Sequence, residues 1–305
     1  MAARALIGAL TLALIAAPAF LSPYLRSLSL AILADVVLAV SWSLFSGPTR
    51  YLSLATGAFW GAGAYLTAVV GGSAPWPVPV LLGGAVGAGM ALVVGGLALR
   101  LRGPYFAIFT FGLAELAKHT LIWYETGVTG TVGRLLLTQP RPATLYYTVL
   151  ALAALAVTTA VLLRRSRWGY ALVAIGGDEE RAETLGINTM AVKIATFALS
   201  AAFMGAAGAA MAPRWTYLDP QVFNPLVSFQ TVIMALLGGV GMVAGPIVGA
   251  VFLGLASELL LLNFRYVYLL GLGLTLIVVV LALPSGLAGL WTIMLSRWQQ
   301  EHRGA

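Results

Sequence analysis

"RRSRWGYALVAIGGDEERAETLGIN", residues 164–188, holds eight charged side chains: Arg164, Arg165, Arg167, Asp178, Glu179, Glu180, Arg181 and Glu183. On its amino-terminal side stands an uncharged apolar run, "TLYYTVLALAALAVTTAVLL", residues 144–163, and on its carboxyl side a run near 190–212 whose one charge is Lys193. About 20 apolar residues in a helix cross the roughly 30 Å of bilayer hydrocarbon. The segment is therefore a polar loop between two membrane spans, and this reading sets the fold class.

The rest of the chain agrees. Of its 305 residues, 60% are hydrophobic and 9% charged, with a mean hydropathy of +0.95; a soluble domain carries roughly 25% charged residues. The apolar runs are continuous rather than alternating over about 10 residues, which selects an all-α polytopic transmembrane helical bundle over a barrel. Thirty-five glycines suit a solvent in which small residues let helices approach closely. Runs of spanning length lie near 5–22, 27–46, 51–70, 78–99, 103–122, 144–163, 190–212, 226–243, 245–262 and 266–283, about ten helices in one transmembrane domain covering 1–305. The start, "MAARALIGALTLALIAAPAF", has the form of a signal peptide but reads as an uncleaved first helix because many spans follow. Residues 226–262 are either two spans with a tight turn or one broken helix.

The formal charge of +7 comes from basic residues at the ends of apolar runs, not from a patch, so no nucleic-acid partner is read. These residues instead report topology. With the amino terminus inside, Arg4, Arg50, Arg100, Arg102, Arg164, Arg165, Arg167, Arg181, Lys193, Arg297 and Arg303 are cytoplasmic. Arg26, Arg134, Arg141, Arg214 and Arg265 then lie outside. Both termini and the loop at about 164–190 are thus expected in the cytoplasm. No cysteine is present, and His119 and His302 are the two histidines, so no metal site and no cofactor is expected.

Within the loop, residues 168–175 have helix-forming character, Gly176 and Gly177 interrupt it, and residues 178–185 resume it. Asp178 is a good N-cap, Glu179 and Glu180 put negative charge at the positive end of the helix dipole, and Gly186 is placed for a left-handed C-cap. Ala182 and Leu185 are expected on one face, with Glu179, Glu180 and Glu183 largely elsewhere. A short helix with an apolar stripe and a charged rim suits a groove on another protein. The basic residues Arg164, Arg165 and Arg167 are by themselves accounted for by topology.

Ionisable groups inside spans are costly and are functional candidates by default. Asp35 is the single such residue of the 27–46 run and Glu258 of the 245–262 run. Glu115 has Lys118 and His119 at three- and four-residue spacings, the pattern of a local ion pair, with proton coupling as the alternative. Gly238, Gly239, Gly241, Gly245 and Gly249 either allow a bend or close contact beside a pathway or serve packing alone. No GxxxxGK[ST] loop is present, since Lys118 follows Ala117 and Lys193 follows Val192. No GxSxG nucleophile motif is present either, and no enzyme activity is expected.

Four segments in order carry a resemblance: "YLSLATGAFWGAGAYLTAVV" (51–70), "LRGPYFAIFTFGLAEL" (101–116), "SRWGYALVAIGGDEERAETLGINTMAVKIATFALSAAFMGAAGAAMAP" (166–213) and "LGGVGMVAGPIVGA" (237–250). Together, over about residues 46–290, the chain resembles permease subunits of branched-chain amino acid ABC transporters, of the M (Liv) type. It departs from the family pattern at Gly176–Gly177 and in the outer loop "GVTGTVGR". The resemblance implies half of a translocation pathway in a prokaryotic inner membrane, completed by a homologous second permease. It further implies two cytoplasmic ATPase subunits, an extracytoplasmic binding protein and a small-molecule substrate, with lipid around the spans. The ATPase-coupling residues it implies are Arg167, Gly169, Gly176, Gly177, Asp178, Glu179, Glu180, Arg181, Ala182, Glu183, Leu185 and Gly186. Related permeases carry urea and short amides, and an ion-coupled secondary transporter is the reading of another class.

Overall fold

The computed structural model describes residues 14–18, 20–72, 74–136, 140–263, 270, 273–274 and 286–287. Ten α-helices are named here in chain order: α1 (Pro23–Thr49), α2 (Thr56–Val70), α3 (Val78–Ala98), α4 (Pro104–Tyr124), α5 (Pro142–Arg165), α6 (Arg167–Gly177), α7 (Glu179–Thr184), α8 (Thr189–Met211), α9 (Pro225–Gly238) and α10 (Ala244–Asn263). The expected span at 5–22 is described only from residue 14, and that at 266–283 lies outside the described residues apart from 270 and 273–274. Six of the described helices are long and apolar enough to cross a membrane: α1, α3, α5, α8, α9 with the turn before it, and α10. The chain is an all-α polytopic membrane protein.

Proline opens many of these helices, standing at the first or second position of α1, α3, α4, α5 and α9, where no intrahelical N–H is required. The helices then sort by burial. Of the apolar windows of α1 and α8, 72% is buried inside the protein, against 28–33% for α3, α5 and α10. The first two are the central pair, and the others turn wide faces outward. Glycine permits the closest contacts around α8: a Cβ on Gly63 of α2 would overlap the Gly205 carbonyl, and one on Gly87 of α3 would stand 2.5 Å from the Ala201 carbonyl oxygen.

The expected helix at 51–70 is corrected by the structure. α1 ends at Thr49 with Arg50 in the left-handed region at φ 60°, which turns the chain back toward the bundle. Residues 51–55 form no helix, and Ser53, Leu54 and Ala55 are buried. Side chains replace the missing helical bonds: Trp42 Nε1 donates to the Ser53 carbonyl at 2.8 Å, Leu54 N to Thr110 Oγ1 at 2.9 Å and Gly57 N to Ser228 Oγ at 2.8 Å. Irregular backbone among membrane spans survives because protein encloses and satisfies it. Hydropathy sees only that the stretch is apolar, so periodicity alone extends the helix too far.

At the end of the bundle remote from α6 and α7, a short ladder pairs Arg134 with Leu218 and Leu135 with Tyr217. Beneath it the buried Glu125 accepts from Gly133 N at 2.7 Å and from Arg134 Nε at 3.4 Å, and the Arg134 guanidinium stacks 5.8 Å over the Tyr65 ring.

Residues 226–262 form two helices, α9 and α10, joined by the turn 239–243. Gly239 takes φ 93° there. Cβ atoms on Gly238, Gly245 and Gly249 would overlap the carbonyls of Gly245, Gly239 and Met234 respectively, whereas one on Gly241 would meet nothing within 4 Å. This resolves the alternative left open by the sequence in favour of a tight turn between close-packed helices.

Candidate functional site

The polar loop folds as two helices seated on one end of the bundle. Ser166 ends α5 and caps α6, its Oγ accepting from Gly169 N at 3.3 Å. α6 then runs unbroken through Gly176 and Gly177, which corrects the expected glycine interruption; the break falls at Asp178, whose backbone is extended at φ −160°. Gly176 is required for contact rather than for a turn, because its Cβ would overlap the Pro48 carbonyl oxygen at the end of α1. Gly169 is similarly held against the Leu163 carbonyl, while Gly177 faces open space.

Asp178 caps α7 as expected, its Oδ1 accepting from Glu180 N and Arg181 N, both at 3.1 Å, and its Oδ2 pairing with Arg181 Nε at 2.9 Å. Gly186 at φ 82° ends the helix, with Ile187 N donating to the Ala182 carbonyl at 3.2 Å. Asn188 starts α8 by accepting from Ala191 N at 3.0 Å. The expected apolar stripe is corrected: Ala182 is buried, but Leu185 lies past the last helical residue and is 77% exposed.

The three glutamates also part company. Glu180 pairs with Arg102 at 3.1 Å on the surface, and Glu183 accepts from Thr189 Oγ1 at 2.8 Å, tying α7 to the start of α8. Glu179 turns inward. Its carboxylate pairs with Lys193 Nζ and accepts from the Tyr51 hydroxyl at 2.6 Å. Lys193, one turn into α8, is 2% exposed and also donates to the Leu99 carbonyl at 3.1 Å and lies 5.0 Å over the Tyr51 ring. Phe45, Phe106 and Phe197 pack against this group, Phe106 edge-on to Tyr51 with centroids 5.3 Å apart. Burial pushes the Glu179 carboxyl up, but hydrogen bonds from Lys193 and Tyr51 and the charges of Lys193 and Arg102 outweigh it and hold the group below its ordinary value of 4.5.

One ion pair and its hydrogen bonds thus join α7, α8, the end of α3 and Tyr51 of the segment that follows α1. Lys193 and Tyr51, and Arg102 beside them, were not singled out as site residues by the sequence. A signal existed for Lys193: it is one of two lysines in the chain and sits inside an apolar run. A second link is Arg164, the penultimate residue of α5, which donates through Nη1 and Nη2 to the Gly241 and Val240 carbonyls, both at 2.7 Å. The glycine-rich turn and the loop therefore share an anchor.

Outward from these anchors the loop presents apolar surface. Trp168, Tyr170, Val173 and Leu185 are exposed, and a cleft of about 630 Å³ opens between α6, the ends of α1 and α5, and the 239–243 turn. Arg167, at the start of α6, is exposed. The surface is an apolar platform with charged residues at its rim.

The residues expected along a pathway fall in three places. Asp35 of α1 and Glu258 of α10 lie on one seam: Gly254 sits against Asp35, and Tyr24 of α1 donates its hydroxyl to Glu258 at 2.5 Å. Glu115 forms the expected pairs within α4, with His119 at 3.4 Å and Lys118 at 4.0 Å. Gly239 and Gly241 belong to the turn held by Arg164, and Gly238 and Gly245 stand on the helix ends that flank it. Among the described residues no group of three or more His, Cys, Asp or Glu is arranged to hold a metal ion.

Comparison with known proteins matches residues 24–283 to the family described as branched-chain amino acid transport system / permease component. The chain is 28% identical over 262 residues to the high-affinity branched-chain amino acid transport system permease protein LivM of Salmonella typhimurium, covering 74% of this chain and 61% of that protein. Against LivM of Escherichia coli K12 it is 28% identical over 265 residues, with the same coverages. LivH of Escherichia coli K12 is 33% identical over 140 residues, 45% of this chain and 44% of LivH. The chain thus spans about three fifths of the length of the LivM proteins it matches. No solved structure matches it. The chain belongs to the family of branched-chain amino acid transport system permease components.

Proposed function

We propose that this chain is the membrane-spanning subunit of an ATP-binding-cassette importer in a prokaryotic inner membrane, forming half of the pathway for branched-chain or related small amino acids. The observation that carries the reading is the seated loop. α6 and α7 stand off the bundle with Leu185, Tyr170 and Val173 outward, and Glu179 ties them inward to Lys193 at the start of the central helix α8. A rigid knob of this kind passes a push on its outer face to α8 without absorbing it. The partner on that face is an ATPase subunit, which supplies the hydrolysis for which this chain has no phosphate loop. ATP and loaded binding protein favour different states of the pore, and each shifts the equilibrium only through differential contacts.

In this account the loop end is cytoplasmic, together with both termini, and residues 1–305 act as a single permease domain. Arg102, Arg164 and Lys193 converge on the loop end, and Arg134 and Arg214 lie at the other, a division that supports the orientation. A homologous second permease, two ATPase subunits and an extracytoplasmic binding protein complete the assembly. Urea or a short amide is the alternative cargo. The test is reconstitution of the full assembly in vesicles: ATP-dependent leucine uptake supports the reading. Uptake driven by a proton gradient through this chain alone would place it among ion-coupled transporters and overturn the reading.

A further inference from the structure

At the end remote from the loop, a cavity of about 320 Å³ is walled by Trp60, Trp215 and Tyr217, with Asp219, Gln221 and Asn224 at its polar side. It has room for about ten non-hydrogen atoms at the volume each water takes in the liquid. Two of its three aromatic walls are held by the surrounding fold, and Trp215 is exposed at its mouth. Trp60 is buried on α2 with its carbonyl against Gly208 of α8, and Tyr217 donates its hydroxyl to the Val132 carbonyl. Asp219 Oδ1 accepts from Gln221 N at 2.6 Å, which aims the carboxylate, and Asn224 Oδ1 accepts from Leu226 N at 2.9 Å, which leaves its amide N–H groups free to donate.

The lining holds one carboxylate, three aromatic rings and no lysine or arginine. Nearby Arg214 is turned away, donating to Ser27 Oγ at 2.8 Å. Such a lining repels anions and attracts an ammonium group, through a charge-assisted hydrogen bond to Asp219 and through the ring faces. The geometry points to this cavity as a vestibule for small solutes bearing a protonated amine, with Asp219 the recognising residue, the aromatic rings holding an apolar side chain and the amides of Gln221 and Asn224 available to a carboxylate. It deepens and rests on the importer reading, for which it supplies the chemistry that an arriving amino acid meets first in the membrane. None of the groups expected along a pathway from the sequence lies in this cavity.

The test uses the full chain in lipid nanodiscs and tryptophan fluorescence. L-leucine and isopentylamine, which carry the ammonium, are expected to give saturable changes, and 4-methylpentanoate, which lacks it, a response about tenfold weaker or more. Asp219→Asn keeps the helix-capping oxygen, so the chain should elute unchanged while the two amines fall to the level of the acid. Trp215→Leu should weaken leucine as well. Equal binding of acid and amine, stronger binding of a neutral sugar, no saturable response, or full amine binding by Asp219→Asn each overturns the proposal. ATP-driven uptake separates it from the parent reading. Uptake with unchanged KM in Asp219→Asn sinks the vestibule alone; amine binding as described without any ATP-dependent uptake sinks the importer alone.

Discussion

Glu179 of α7 and Lys193 of α8, fourteen residues apart, form an ion pair inside the protein, with the lysine 2% exposed and the Tyr51 hydroxyl on the same carboxylate. Removing one member of a buried pair strands a charge and costs about 3–5 kcal/mol, whereas replacing both costs far less. Glu179→Ala is therefore expected to lower thermal stability in detergent markedly, and Glu179→Gln with Lys193→Met to recover most of it. A double-mutant cycle followed by thermal unfolding checks this; additive single effects would contradict it.

The same pair sets a pH window. Glu179 titrates below its ordinary value of 4.5 in the folded protein, so its contribution to stability is fully present above that value and is lost as pH falls through the lower folded one. The stability difference between the parent chain and Glu179→Gln should be flat from neutrality down to pH 4.5 and shrink only below it. Melting curves of the two proteins across that range measure it.

Neighbouring glycines should behave oppositely. A methyl group at Gly176 strikes the Pro48 carbonyl and one at Gly249 strikes that of Met234, and both obstacles are backbone. Gly176→Ala and Gly249→Ala are expected to destabilise by about 1–3 kcal/mol. Gly177→Ala and Gly241→Ala meet open space and should stay within about 1 kcal/mol of the parent. Thermal shift in detergent separates the two sets.

The positions of most spans were legible in the sequence because length and hydropathy alone specify them: α1, α3, α5, α8, α9 and α10 fall on the expected runs. The caps Asp178 and Gly186 were legible for a similar reason, since each acts through its own side chain or backbone on residues beside it. Three features were not. The non-helical segment 51–55 depends on Trp42, Thr110 and Ser228, which are remote in the chain or on another helix. The inward turn of Glu179 depends on Lys193 and Tyr51, so the reading of Glu179, Glu180 and Glu183 together as a charged rim could not distinguish it from Glu180. Gly176 and Gly177 look alike as helix breakers, yet one is a packing contact with α1 and the other is free, and both lie within α6.

Leu185, 77% exposed at the tip of the loop, has no structural role within the described chain and should matter to a partner alone. Leu185→Asp is expected to leave stability within about 0.5 kcal/mol of the parent and to release the ATPase. Copurification of the ATPase with tagged permease, alongside melting curves, checks both halves.

Coupling through the pair Glu179–Lys193 is tested most directly by the ratio of ATP hydrolysed to leucine taken up in vesicles holding the full assembly with Glu179→Gln and Lys193→Met together. The ATPase should remain bound and hydrolysis continue, while uptake falls about tenfold or more, the loss expected when at least about 1.4 kcal/mol of coupling is removed. Uptake and hydrolysis in the parent ratio would show that the seated loop does not transmit the stroke.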